Sequence, residues 1–400
     1  MLLPHVLLFS RRDADTAKGA RRQVLAVLGV VLAVVIPVWF QAVRSSPQTA
    51  KTAPARGDAP ARGDVSARSP ADAAIDIPPA VVGYVPYWDQ QSAVADALRR
   101  SDLLTVAAPW WYAPTAGGVV VEQHPEFTDT GDNVVRRLRA GGLQVMPTIA
   151  NHRDGKWDFD VVPQLIADSG TRGAHVRNLV DLVEARDFDG IVIDYELLGA
   201  GDRDNFTAFV TELGAALHAN ARQLAVALHA QASDAGSGEH NVAQDYRAIG
   251  QAADQVHLMT YDVHYDESDP GPIAPLPWIA DVLDYATERI PPDKLLLGIG
   301  LFGYDWPEGQ TAEELQLAQV ERRIASNDGE QGWDDHAQAP WFRYRSDGVA
   351  RTIWYEDAHS VAAKLELVAH YDLAGAFIWR LGGVPEDIWQ ATRQTLRPEP

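Results

Sequence analysis

The sequence predicts an α/β fold, a (β/α)8 barrel, over most of its 400 residues. Two observations predict it. From about Pro78 onward, eight short apolar runs alternate with longer, mostly amphipathic stretches, the pattern of strands separated by helices. The chain is also rich enough to bury a large core, being 46% hydrophobic with 12 Trp and 12 Tyr.

The runs Val81–Tyr87, Leu103–Ala108, Gln144–Ile149, Gly190–Tyr195, Gln223–His229, Gln255–Tyr261, Leu295–Leu301 and Ala374–Trp379 read as strands. Helical periodicity occupies Asp132–Ala140, Thr171–Ala185, Arg203–Ala219, Trp278–Arg289 and Ala358–Tyr371 between them. The gap between the seventh and eighth strands is too long for one helix, so residues 306–352 are expected to form a small α+β insertion on the catalytic face. The barrel as a whole is expected to span 78–395.

Ahead of it, residues 1–22 are basic, with Arg11, Arg12, Lys18, Arg21 and Arg22, and no residue from Gln23 to Val43 is charged. Such a run is long enough to cross a bilayer, and the basic flank keeps the N-terminus cytoplasmic. The span 23–43 therefore reads as a transmembrane signal-anchor. A cleaved signal peptide would share the basic head, but the run is long for one and no convincing small-x-small cleavage site follows Val38. Residues 44–77 are rich in Ala, Pro, Arg, Ser and Asp and cannot bury enough apolar surface to fold, so they read as a disordered linker. Two Arg-Gly-Asp triplets there repeat within low complexity rather than mark an adhesion site.

Net charge is -21, which excludes nucleic acid as a partner of the folded part. The chain has no cysteine, which excludes disulfides, thiolate metal sites and a cysteine nucleophile. No His-Glu-x-x-His occurs among the 12 histidines, and no metal or cofactor is expected. Gly298-Ile-Gly300-Leu-Phe-Gly303 fits a dinucleotide fingerprint literally, but Tyr304-Asp305-Trp306-Pro307 follows where a helix should begin. Close backbone packing explains these glycines better.

The segment Asp189-Gly-Ile-Val-Ile-Asp-Tyr-Glu196 carries the chemistry. Alternation along a strand points Val192, Asp194 and Glu196 one way and Ile191, Ile193 and Tyr195 the other. The isoleucines suit the helix side, which turns two carboxyls inward at the C-terminal end of a barrel strand. Barrel enzymes place their catalytic groups there. A carboxyl beside another one holds its proton, as a general acid must.

This segment resembles the Asp-Gly-x-Asp-x-Asp-x-Glu signature of the family 18 glycoside hydrolases, the chitinase-like barrels. The resemblance extends through Gly83–Trp88, Met259–Trp278, Gly298–Trp306 and Trp354–Gly383, the last three in the manner of spore cortex-lytic N-acetylglucosaminidases. It implies a retaining, substrate-assisted hydrolase of N-acetylglucosamine-containing glycans, an exception to the two-carboxylate scheme. On this likeness Glu196 is the acid and later the base, Asp194 orients the 2-acetamido group, and Tyr261 hydrogen-bonds its oxygen. Trp379 forms the floor under the sugar, with Asp262, Asp189, Tyr84 and Trp306 as further substrate contacts. Asp305, beside Trp306 just after the seventh strand, is a cleft candidate by position, and His229 after the fifth strand lines the cleft or, the favoured reading, is a hydrogen-bonded structural histidine. Trp110, Trp111, Trp157 and Trp333 are sugar platforms or ordinary aromatics. Val192 departs from the signature, which often has an acid there. The alternative is a non-catalytic carbohydrate-binding protein on the same fold, which would be expected to lack Glu196.

Overall fold

The computed structural model describes residues 78–123, 131–234 and 239–398. The expected anchor and linker lie outside the described residues. No helix among the described residues is long and apolar enough to cross a membrane.

Eight parallel strands close on themselves: β1 (Ala80–Pro86), β2 (Val106–Pro114), β3 (Thr148–Ala150), β4 (Gly190–Asp194), β5 (Gln223–His229), β6 (Gln255–Met259), β7 (Leu295–Gly300) and β8 (Gly375–Trp379). Each pairs with its chain neighbours, and β1 pairs with both β2 and β8. A helix follows every strand: α1 (Gln90–Arg99), α2 (Gly131–Ala140), α3 (Ser169–Ala185), α4 (Arg203–Ala219), α5 (Tyr246–Ala252), α6 (Leu276–Thr287), α7 (Ala358–His370) and α8 (Glu386–Leu396). This is the predicted (β/α)8 barrel, with its core between strands and helices.

Two strands depart from expectation. The second begins at Val106 and continues through Pro109 to Pro114, so proline does not end it. The third is broken at Met146–Pro147, where proline has no N–H to give, and a short piece, Gln144–Val145, pairs separately with β2.

Between β7 and α7 lies an insertion that begins earlier than predicted, at Phe302 rather than 306, and ends at Tyr355. It is an antiparallel sheet in the order Glu313–Gln316, Phe302–Pro307, Val349–Tyr355, Ala339–Ser346 and Gly329–Asp334, with one helix, Leu317–Ala325. Its early start reflects the alternation of Phe302, Tyr304 and Trp306, which bury one face in a cluster with Ile273 and Trp354. The glycines before it serve packing, not phosphate. A Cβ on Gly298 would stand 2.6 Å from the Leu258 carbonyl oxygen and 2.7 Å from the Phe377 ring.

Candidate active site

The strand β4 behaves as alternation requires. Tyr195 points to the helix layer, where its hydroxyl bonds His175 Nε2 of α3 at 2.7 Å and its ring stacks 5.6 Å from Phe209 of α4. Asp194 and Glu196 point into a cleft of about 630 Å³ at the C-terminal end of the barrel. Tyr84, Tyr261, Asp262 and Trp379 line the same cleft, so six of the eight sequence candidates converge there.

Asp194 is 6% exposed. Its Oδ2 accepts from the Trp110 indole N–H at 2.9 Å, and Oδ1 is buried. Burial pushes its carboxyl up; hydrogen bonds from Trp110 and Glu196 oppose the rise. Glu196 is raised further, by burial first and then by the charges of Asp194 and Asp262. The pair therefore shares one proton, and Glu196 keeps it. His229 Nε2 stands 3.5 Å from Glu196 Oε2, so this histidine does line the cleft.

Glu196 lies past the end of β4 and is held from below. Asn151 Oδ1 accepts its backbone N–H at 2.8 Å, and Asn151 Nδ2 donates to its carbonyl at 2.9 Å.

The Tyr84 hydroxyl bonds His257 Nδ1 at 2.7 Å. Burial holds His257 down at about 3, so the imidazole is neutral. With Nε2 facing Gln255 Oε1 at 3.3 Å, the proton belongs on Nε2 and Tyr84 is the donor to Nδ1. Asp262 adopts a left-handed backbone, φ 62°. Crowding by the cleft walls pushes its carboxyl up to about 7; the Tyr304 hydroxyl, donating to Oδ1 at 3.1 Å, opposes this, while Glu314 and Asp266 add to it. Water reaching that carboxyl from the cleft tempers the rise. Tyr261 stands edge-on to Phe302 and Phe377.

Trp379, at the tip of β8, packs its ring 5.6 Å from Tyr84, 6.1 Å from Trp110 and 6.4 Å from Trp88. A wall continues through His152, 5.2 Å from both Trp110 and Trp157. Such rigid rings give sugar faces a place to stack.

The other two of the eight, and Asp305, fall elsewhere. Asp189 sits at the N-terminal end of β4, at the opposite mouth of the barrel. Its Oδ2 accepts the Val145 N–H at 2.8 Å and faces Arg139 at 3.4 Å, tying the Gln144–Val145 piece and α2 to β4. Trp306 is 2% exposed and donates its indole N–H to Ser268 at 3.0 Å, pinning the loop after β6 to the insertion. Asp305, fully buried, accepts from Arg323, Arg351 and Tyr344 within the insertion. Among the aromatics, Trp111 is a core residue, and Trp333 stacks on His359. Among the described residues no cluster of side chains could hold a metal ion.

A protonated acid beside a buried carboxylate, in an aromatic cleft at the top of a barrel, defines the class as glycoside hydrolase. The chain belongs to the glycosyl hydrolases family 18, whose model matches residues 80–383. It is 32% identical over 288 residues to YdhD of Bacillus subtilis (strain 168), described as a sporulation-specific glycosylase, covering 68% of this chain and 67% of that one. It is 30% identical over 244 residues to the cortical fragment-lytic enzyme of the same organism, covering 60% of this chain and 57% of that one. Among solved structures, a chitinase from Chromobacterium violaceum ATCC 12472 superposes with a TM-score of 0.75 at 31% identity, covering 80% of this chain and all of that one.

Proposed function

We propose that this glycoside hydrolase cleaves N-acetylglucosamine-containing glycans with retention, using the substrate's own 2-acetamido group as nucleophile. Glu196 protonates the glycosidic oxygen, and the acetamide carbonyl attacks the anomeric carbon as that bond breaks. Asp194 accepts the acetamide N–H and balances the positive oxazolinium ring. Tyr261 donates to the acetamide oxygen. Glu196, now a base, takes a proton from the water that opens the ring from the same face.

One observation carries this reading. Asp194 holds two hydrogen bonds, from the Trp110 indole and from Glu196, and the second is released when Glu196 turns its proton to the glycosidic oxygen. A buried acceptor left unmet is costly, and an acetamide N–H is the donor that such a substrate brings. The named activities of the relatives, a cortical fragment-lytic enzyme and a chitinase, agree with a 2-acetamido sugar. The apolar run 23–43 supports a membrane-tethered barrel outside the cytoplasm, near peptidoglycan or an exported polysaccharide.

The test incubates the full chain with chitooligosaccharides, poly-N-acetylglucosamine and peptidoglycan, following the anomeric product by NMR. Release of the β-anomer first, blocked by a thiazoline that mimics the oxazolinium ring, is expected. Binding without cleavage would instead establish a carbohydrate-binding protein, and inversion would end the acetamide mechanism.

A further inference from the structure

The proton donor does not stand on a strand. The β3–β4 ladder ends at the pair Ala150 and Asp194, one residue short of Tyr195 and two short of Glu196. Leu197 then turns sharply in the left-handed region, φ 60°, a conformation unfavourable for leucine unless its surroundings enforce it. The backbone N–H and C=O of Glu196 have thus left the sheet where its carboxyl must be held still.

Asn151 takes the place of the missing strand. It is 1% exposed, and its side-chain amide presents an acceptor to the Glu196 N–H and a donor to the Glu196 carbonyl. The same Nδ2 also donates to the Asp158 carbonyl at 3.0 Å, and the Asp158 N–H returns to the Asn151 carbonyl at 2.7 Å. Between these two residues lies the hairpin His152–Arg153 and Lys156–Trp157, whose His152 and Trp157 form part of the aromatic wall. One buried amide is therefore the common anchor of the acid and of the sugar-facing hairpin. Only Asn offers both polarities at this reach: Asp has no donor, Ala neither group.

We propose that Asn151 is a positioning residue that fixes Glu196 for proton transfer and couples it to the hairpin carrying His152 and Trp157. The proposal rests on the hydrolase reading above. It requires that loss of the amide harm proton donation more than sugar binding. A glycoside with a dinitrophenyl leaving group departs without protonation, whereas an unmodified chitooligosaccharide needs the acid.

The test measures kcat/KM of the full chain and of Asn151→Ala on both substrates. The variant is expected to lose roughly 10²-fold on the oligosaccharide, the scale of a misplaced general acid, and less than about 3-fold on the dinitrophenyl glycoside. Asn151→Asp, which keeps the acceptor for the Glu196 N–H, should show the same contrast at smaller size, and it carries the test if Asn151→Ala does not fold. Equal losses on the two substrates would show only a distorted cleft, and no loss would show an idle amide; either overturns the proposal. A parent chain that cleaves neither substrate overturns the hydrolase reading, and the proposal falls with it.

Discussion

The indole N–H of Trp110 donates to Asp194 Oδ2 at 2.9 Å. This bond joins β2 to β4 and is the larger of the two hydrogen bonds that hold the Asp194 carboxylate against the rise that burial imposes. Val192, on the same inward face, offers Asp194 no hydrogen bond, so the indole does the work a polar neighbour would do. Trp110→Phe should leave the ring packing largely intact and remove only the donor. Asp194 then protonates more readily, kcat is expected to fall roughly 10-fold, and the acidic limb of the pH–rate profile should move upward. A profile that scales down without moving would show that the indole serves packing alone.

On the proposed mechanism the active form has Asp194 ionised and Glu196 protonated. Both carboxyls are raised, Glu196 the more. Activity should therefore rise as Asp194 loses its proton, above the ordinary Asp range, and fall as Glu196 loses its own at higher pH. The two inflections belong to the pair. A bell-shaped kcat/KM profile measured on an oligosaccharide checks this; on the dinitrophenyl glycoside the basic limb should flatten, because that limb reports the acid.

Glu196→Gln should lower oligosaccharide cleavage by about 10³-fold or more while leaving glycan binding measurable by calorimetry. It should also stabilise the fold. An acid whose folded-state pKa is raised binds more protons folded than unfolded, so its parent loses stability as pH climbs from the unfolded pKa through the folded one. Glutamine has no such loss. The melting temperature of the variant should exceed the parent's near neutral pH, and the gap should close below the ordinary Glu range. A gap independent of pH would contradict the buried-acid account.

Much of this was legible from local periodicity. Alternation alone put Asp194 and Glu196 inward and Tyr195 among the helices, because a strand's side-chain period is fixed by its pleat. Asp189 came from the resemblance rather than from alternation, and five residues of strand put it roughly 16 Å below Asp194, at the other mouth of the barrel. Trp306 was misread because alternation within the insertion turns its ring toward Ile273 and Trp354, a choice set by a sheet the sequence did not reveal. Trp110 and Asn151 were invisible as partners of the acids, since each acts across strands, on residues 84 and 45 positions away. Asn151 directly after an apolar strand was the available signal: a polar amide at a strand's C-terminal end, where barrels build sites.

Asp305 predicts where stability, rather than chemistry, resides. It is fully buried in the insertion and accepts from Arg323, Arg351 and the Tyr344 hydroxyl. Asp305→Ala leaves two guanidinium groups facing each other without their shared partner, a loss of about 3 kcal/mol if the pair is well desolvated. Both arginines reach water, so the lower part of that range applies. Chemical denaturation should show the loss, while kcat on a short substrate stays within about twofold, since Asp305 faces away from the cleft.

Val192 is the place where the site can be rebuilt. It pairs in register with Thr148 on β3, and the Thr148 Oγ1 is buried without a partner; Asp194 lies two residues along. One orphaned hydroxyl and a buried carboxylate thus flank an apolar side chain, where the family signature often carries an acid. Val192→Asn is smaller than the parent side chain and offers a carbonyl to the threonine hydroxyl and an amide N–H to the aspartate. A donor to Asp194 stabilises its ionised form, so the acidic limb should move downward, opposite to the shift expected for Trp110→Phe. The cost of placing an amide among barrel residues is offset by the two bonds it completes, and stability should change by less than about 1.5 kcal/mol. Combining Val192→Asn with Trp110→Phe should restore much of the acidic limb if both act through the Asp194 carboxylate, and the pH profile of the double variant decides it. No recovery would mean that the amide introduced by Val192→Asn does not reach the Asp194 carboxylate.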